Sequence, residues 1–376
     1  MGKAIAVHCN GANYVLLSSA VNSSPNILVV RLSSMGDVVL ASPLLRVLRK
    51  RFPQSQIDFV VKKEFAELVR HNHNLNSTYE LNTDGGMTEL LRLKKRLTRE
   101  RYELVLDLHN SLRSRYLRRL AGAQNVLTIK KRLAERTALV KFKRNWYGEI
   151  VSAADRYIEP VRRFGVQNDG KGLELHIPDE ILFRVSGKMV ELRLNRFEKT
   201  VGLCPGARHS TKRWPAERFA EFAVNLSAQF HAKILIFGGD EDRVVASQIA
   251  EKVKQTTGEE SVAVVAGTCS LLETAAAMEF CDVIITNDTG LMHVASAMKK
   301  RVIAIFGPTV KEFGFFPVGT ESVMIEREGL YCRPCSHIGR ATCPEGHFRC
   351  MKEIGVGEVF AQTSKMLKAE GPFGAH

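Results

Sequence analysis

Two doubly wound α/β domains, each built on a parallel sheet, are what this sequence predicts, and three observations predict them. Short apolar runs alternate with amphipathic stretches along the chain, the pattern of strands joined by crossover helices. Two of these units, residues 27–52 and 282–309, carry a loop of small residues between strand and helix. The length, 376 residues, exceeds what one hydrophobic core ordinarily serves.

In the first half, Ile27–Arg31, Ile57–Val61, Thr78–Leu81, Leu104–Leu108 and Val126–Ile129 read as strands. Ile27–Arg31 is followed by the turn Leu32-Ser33-Ser34-Met35-Gly36, after which Asp37 starts a helix apolar at Val38, Leu40, Ala41, Leu44, Leu45 and Leu48. Asp is a good helix N-cap, and here it also stands at the carboxyl end of a strand, where open α/β sheets hold their ligands. The boundary falls near 194–199, after the amphipathic stretch Asp179–Leu194, dividing a domain over 26–196 from one over 197–376.

In the second half the strands are Thr200–Cys204, Lys233–Phe237, Ser261–Val265, Asp282–Thr286 and Arg301–Phe306. Asn287-Asp288-Thr289-Gly290 opens a helix with apolar Leu291, Val294, Ala295 and Met298 at helical spacing. A glycine at a helix mouth lets a ligand approach unpaired N–H groups, and the helix dipole favours an anion there, most often phosphate. The plainer reading is an ordinary βαβ unit with Asp288 as N-cap.

Hydrophobic content of 45% and charged content of 25% are those of a soluble globular protein. No apolar run reaches the length of a membrane span. Residues 1–25 read as an extension that makes a poor signal peptide, and the chain is expected to be cytoplasmic. The net charge of +14 is lopsided: residues 1–199 hold 35 Lys+Arg against 20 Asp+Glu, the remainder 19 against 20. Clusters at 92–99, 113–119 and 130–144 are either solvated helix faces or a surface for a polyanion. No nucleic-acid recognition motif accompanies them.

RLSSMGDVVLASPLLRVL, CPGARHSTKRWPAERFAEF, NDTGLMHVASAM and IAIFGPT, in that order, resemble the ADP-heptose:lipopolysaccharide heptosyltransferases of glycosyltransferase family 9. The resemblance runs from about residue 26 to about residue 360. It implies the GT-B architecture, two Rossmann-like domains facing a cleft, the first binding acceptor and the second nucleotide sugar. It also implies Asp37 as catalytic base, with ADP-heptose and the lipopolysaccharide inner core as substrates and the cytoplasmic face of the inner membrane as a peripheral partner. Inverting transfer follows from a base opposite the leaving group.

For the donor, Lys212 offers a point charge to the diphosphate beside Gly206, and Asp288, Thr289 and Gly290 offer N–H groups, with His293 one turn on. A carboxylate a few residues past a strand end commonly holds ribose hydroxyls, and the resemblance favours Asp242; Cys269 is placed at the adenine pocket. The segment Leu104–Ser114 resembles the family's acceptor loop, with Asn110 where glycine is common. Ser34, His109, Arg113 and Arg115 are expected to face the acceptor, though a structural helix start explains the segment equally well. No catalytic metal is expected, with side chains and the helix dipole serving in place of a divalent ion.

Eight cysteines divide into scattered Cys9, Cys204, Cys269 and Cys281 and clustered Cys332, Cys335, Cys343 and Cys350. Four thiolates at such spacing point to a structural zinc or iron ion, placed away from Asp37 and Lys212; a Cys-rich loop without an ion is the alternative. The function expected is heptose transfer to the inner core. The alternatives are a related sugar-nucleotide transferase with another donor or a protein acceptor, and a non-catalytic nucleic-acid-binding module.

Overall fold

The structure is a computed structural model that describes residues 24–120 and 122–369, so the extension expected over 1–25 falls almost wholly outside the described residues. Two parallel sheets form. The first has the strands β1 (Ile27–Val30), β2 (Ile57–Lys62), β3 (Ser77–Leu81), β4 (Leu104–Asp107) and β5 (Asn125–Thr128), in the order β3-β2-β1-β4-β5. The second has β6 (Lys199–Cys204), β7 (Ala232–Ile236), β8 (Val262–Val264), β9 (Val283–Asn287), β10 (Arg301–Phe306) and β11 (Ser322–Glu326), in the order β11-β10-β9-β6-β7-β8.

Each sheet is covered on both faces, which is why its inner strands read as unbroken apolar runs. Successive side chains point to opposite faces. Ile27 and Val29 therefore enter one buried cluster and Leu28 and Val30 another. Ile234 and Ile236 likewise part from Leu235 and Phe237. The ten expected strands form, with ends shifted by at most one residue. β11 was not expected: it is an edge strand whose sequence SVMIE carries polar ends and leaves most of its residues partly exposed.

Strand order reverses beside β1 and β4 in the first sheet, and beside β6 and β9 in the second, so each sheet has its crevice at the carboxyl ends of those strands. The loop after β1 enters helix Met35–Leu40. This helix is shorter than the sequence pattern suggested, because the chain breaks at Ala41 and restarts as helix Ser42–Arg51, with Pro43 in its first turn where no N–H is needed. The loop after β9 enters helix Gly290–Ala297.

The first turns of helices Met35–Leu40 and Gly290–Ala297 pack directly on each other. A Cβ on Gly36 would lie 2.6 Å from His293 Cδ2, and one on Gly290 would lie 2.8 Å from Met35 Sδ. One buried cluster accordingly contains Val38, Val39 and Leu44 together with Leu291, Met292 and Val294. Other ties cross the same seam. Glu67 accepts N–H bonds from Leu271 and Leu272, capping helix Leu271–Met278, and Lys299 Nζ donates to the carbonyls of Lys171 and Leu173 at 2.6 Å each. Helix Asp179–Glu191 precedes β6 yet packs on helix Leu271–Met278, with Arg184 and Lys188 both on Glu273.

Two glycines should respond with opposite signs. Gly36→Val places atoms against the His293 ring and should cost about 1–3 kcal/mol in urea unfolding. Gly187→Ala, in helix Asp179–Glu191 where an added Cβ meets nothing within 4 Å, should gain up to about 1 kcal/mol. Equal stabilities for the two variants would contradict the packing described.

Candidate active site

A cleft of about 1080 Å³ opens where the two crevices face each other. Ser34 and Asp37 line it from the first half, and Gly206, Lys212, Asp242, Cys269, Asp288, Thr289, Gly290 and His293 from the second. Among the described residues, these ten expected site residues are thus brought to one cavity.

Asp37 was expected to cap its helix. Instead Ser34 is the N-cap and Asp37 occupies the third helical position, where its Oδ2 accepts from the Ser34 N–H at 3.1 Å and the Ser34 hydroxyl at 2.9 Å. Its other oxygen accepts from the Tyr157 hydroxyl at 2.7 Å and pairs with Arg31 at 2.5 Å. Burial alone would raise the Asp37 pKa, but Arg31, Tyr157 and Ser34 together outweigh it and hold the carboxyl at about 2. Burial pushes Tyr157 up, so the phenol stays protonated and donates. Arg31 is itself tied to the Leu108 carbonyl and lies over the Tyr157 ring.

Opposite stands Lys212, on the short turn Ser210–Lys212, with Nζ 2.6 Å from Asp288 Oδ2. The Thr309 hydroxyl donates to the same oxygen at 2.6 Å. Asp288 is therefore a side-chain anchor, and the helix N-cap expected of it is Thr289. Asn287, fully buried, accepts from the Trp214 N–H at 3.0 Å and donates to the Pro205 carbonyl at 2.7 Å, so β9 fixes both ends of the loop that carries Lys212. His293 is buried, and burial lowers its pKa to about 4, so the ring is neutral; its Nδ1 has no partner in the protein.

Asp242 projects from beyond β7 into the space left by two glycines. A Cβ on Gly206 would come within 2.2 Å of its carboxylate, and one on Gly238 within 2.6 Å of its Cβ. Oδ2 accepts from the Gly239 N–H at 3.1 Å, while buried Oδ1 has no partner in the protein, and burial raises the pKa. An acceptor held at the cleft wall in this way is suited to a ligand hydroxyl.

The acceptor loop is less convergent. His109, Arg113 and Arg115 are not among the residues lining the cleft. Arg113 is exposed, and Arg115 donates to Asn110 Oδ1 at 3.0 Å. The loop is built around buried Asp107, which accepts from the N–H groups of His109 and Asn110, from Ser114 Oγ and from Arg118. Asn110 takes φ +49°, the left-handed conformation that Asn tolerates best after Gly. His109 lies half-buried behind the site, neutral because burial and then Arg31 lower its pKa to about 4.

The four-cysteine metal site is corrected on two counts. Among the described residues no group of three or more His, Cys, Asp or Glu is arranged to hold a metal ion. The thiols are neighbours, but Cys350 is drawn into the apolar core with Met351 and Ile354, and burial, then Cys335, pushes its pKa up to about 12; Cys332 Sγ faces His347 Nε2 at 3.8 Å. A structural zinc is therefore not supported among the described residues. Nor does the segment lie away from Lys212, since His337 and Ile338 line the same cleft. Sequence reasoning also missed Arg31 and Tyr157. Arg31 directly follows β1, only six residues before Asp37, but nothing in the sequence links Tyr157 to Asp37 across 120 positions.

Comparison with known proteins identifies the family. The family model described as glycosyltransferase family 9 (heptosyltransferase) matches residues 90–346. Lipooligosaccharide heptosyltransferase 2 of Campylobacter jejuni is 28% identical over 337 residues, covering 89% of this chain and 96% of its own. Lipopolysaccharide heptosyltransferase 2 of Escherichia coli K12 is 26% identical over 368 residues, covering 92% and 99%. The solved structure of the E. coli ADP-heptose lps heptosyltransferase II superposes with a TM-score of 0.70 at 22% identity, over 91% of this chain and 98% of that one. The chain belongs to glycosyltransferase family 9, and it is a glycosyltransferase of the two-domain GT-B type.

The environment of Asp37 makes stability depend on pH in a defined window. A carboxyl depressed from 3.8 to about 2 contributes stability that is fully present above the unfolded value and is lost as pH falls through the folded one. The wild type should exceed Asp37→Asn by about 2 kcal/mol at pH 6. That gap should close between pH 4 and about 2, read by urea unfolding at stepped pH. A gap independent of pH would show that Asp37 is not held ionised by its neighbours.

Proposed function

We propose that this glycosyltransferase is an inverting heptosyltransferase that moves L-glycero-D-manno-heptose from ADP-heptose to a hydroxyl of the lipopolysaccharide inner core. The observation that carries the reading is the meeting of Asp37 and the Lys212–Asp288 pair, from opposite sheets, in one cleft. The names of the similar proteins supply the sugar and the acceptor class.

The donor diphosphate binds Lys212 and the N–H groups opening helix Gly290–Ala297, where charge and dipole act together. Asp288 and Thr309 hold Lys212 in place. Asp242 accepts from the ribose, and Cys269 borders the base. As the bond from the anomeric carbon to the diphosphate breaks, an acceptor hydroxyl bonds to that carbon from the other side. Its proton passes to Asp37 and ADP leaves with the bonding electrons. Asp37 is a weak base at about pKa 2, so the transfer comes late, when the hydroxyl has become strongly acidic through its new bond. Arg31 and Tyr157 keep the carboxylate ionised and aimed until then. Attack opposite the leaving group inverts the anomeric centre.

The acceptor is expected to approach over the basic first half. Exposed Leu112, Leu133, Phe142 and Trp146 stand among Arg113, Arg115, Lys141, Lys143 and Arg144. Apolar side chains within a cationic surface suit an anionic bilayer face, and among the described residues no helix is long and apolar enough to cross a membrane.

Three measurements test this reading. Asp37→Asn should slow transfer by about 10²–10⁴-fold while leaving ADP binding intact; near wild-type turnover by a folded variant would remove Asp37 from the chemistry. Lys212→Ala should weaken ADP by about 1.5–3 kcal/mol in calorimetry, and an unchanged affinity would count against it. Acceptor KM should rise more steeply with salt than donor KM; parallel, flat responses would return the basic clusters to a solvated surface.

A further inference from the structure

The Cys-rich segment does more than link β11 to the helix Val356–Lys368. Its stretch Ser336–Ala341 is bolted onto the turn that bears Lys212. Thr211 Oγ1 donates to the Arg340 carbonyl at 2.9 Å and accepts from the Arg340 N–H at 2.8 Å, and the Ser210 hydroxyl donates to the Ala341 carbonyl. Gly339, at φ +102°, sits where a Cβ would lie 2.7 Å from His209 Cβ and 3.0 Å from Lys212 Cδ, so the two loops touch backbone to side chain. Buried Ser336 closes the turn: its oxygen accepts from the N–H groups of Ile338 and Gly339, and its hydroxyl donates to the Gly339 carbonyl at 3.0 Å. From the first half, Lys143 Nζ donates to the carbonyls of Cys332 at 3.0 Å and Pro334 at 2.7 Å.

A turn fixed from three sides presents His337 and Ile338 to the cleft. His337 is half-buried, and its ring makes no hydrogen bond among the described residues. Besides burial, the groups that act on it are two cations, Arg136 of helix Leu133–Phe142 and Lys212. A hydrogen-bonding ring on a braced turn, at the wall of the cavity that Lys212 also lines, is placed for an anionic oxygen.

We propose that His337 is a further substrate-contacting residue of this cleft, donating an imidazole N–H to an anionic oxygen held beside Lys212. That oxygen belongs either to the diphosphate of the nucleotide sugar or to an acid group of the acceptor. The inference rests on the reading above in which Lys212 receives the diphosphate. It gives the Cys-rich segment a place in substrate binding that requires no metal ion.

The test compares full-length wild type with His337→Ala, His337→Gln and Lys212→Ala. ADP affinity is measured by calorimetry and acceptor KM at saturating donor. His337→Ala should weaken one ligand about tenfold, the loss of one charge-assisted hydrogen bond. His337→Gln, which keeps an N–H donor, should recover part of it, with melting temperatures unchanged. Loss in ADP affinity assigns the oxygen to the diphosphate; loss in acceptor KM alone assigns it to the acceptor. If Lys212→Ala weakens ADP but neither His337 variant moves either quantity, the proposal is overturned and the functional reading stands. If Lys212→Ala leaves ADP affinity unchanged, that reading falls and takes the proposal with it.

Discussion

The close approach of two helix amino ends, permitted by Gly36 and Gly290, is the constraint on which the rest of the site depends. Each helix follows a strand at the crevice of its own sheet, so each would gather ligand-facing groups alone. Packing first turn against first turn brings the two sets into one cavity and makes Met35, Gly36, Gly290 and His293 a shared floor. A side chain larger than hydrogen at either glycine would push the sheets apart, and with them Asp37 from Lys212. The buried apolar cluster that runs from Val38 to Val294 holds this contact closed by removing apolar surface from water.

On that floor, electrostatics are arranged asymmetrically. Asp37 has both oxygens engaged by donors from three different places in the chain, which fixes its orientation and keeps it charged at the expense of basicity. Across the cleft the charge is balanced within the protein: Lys212 is neutralised by Asp288, and Asp288 is steadied by Thr309. In the proposed reading a diphosphate entering there would meet a cation already positioned, so that little reorganisation is needed when negative charge develops on the leaving group. Two of the buried polar atoms left without protein partners, Asp242 Oδ1 and His293 Nδ1, belong to residues that line this cavity. Unmet hydrogen-bonding capacity is costly in a core and useful at a binding wall.

Second-half loops are braced in the same spirit. Asn287 ties β9 to both Pro205 and Trp214, and Trp214 in turn donates from Nε1 to the Ile354 carbonyl at 3.0 Å. The Lys212 turn thus has a fixed base beneath it and the Ser336–Ala341 stretch above it. The cysteines contribute by packing, Cys350 most of all, and the loop they punctuate reaches from the core back to the cleft.

The sequence by itself determined the parallel sheets, ten of the eleven strands and ten of the residues that meet in the cleft, because these are local matters. Buried parallel strands read as apolar runs, and small-residue loops at strand ends mark where a ligand meets a helix. Lys212, Asp242 and the Asp288–Gly290 loop could be found for that reason, as could Asp37. Helix capping was misread by a few positions, since Ser34 and Thr289 compete with Asp37 and Asp288 for a cap and only the backbone path decides between them. Tertiary structure alone decided the partners: Tyr157 on Asp37, Glu67 on the Leu271 helix, Thr309 on Asp288, Arg340 on Thr211. Each joins residues more than twenty positions apart, and no period or spacing in a chain records which distant side chain will arrive. The cysteine spacing shows the same limit from the other side: among the described residues proximity in sequence did not make a ligand set, and Cys350 packs into the core.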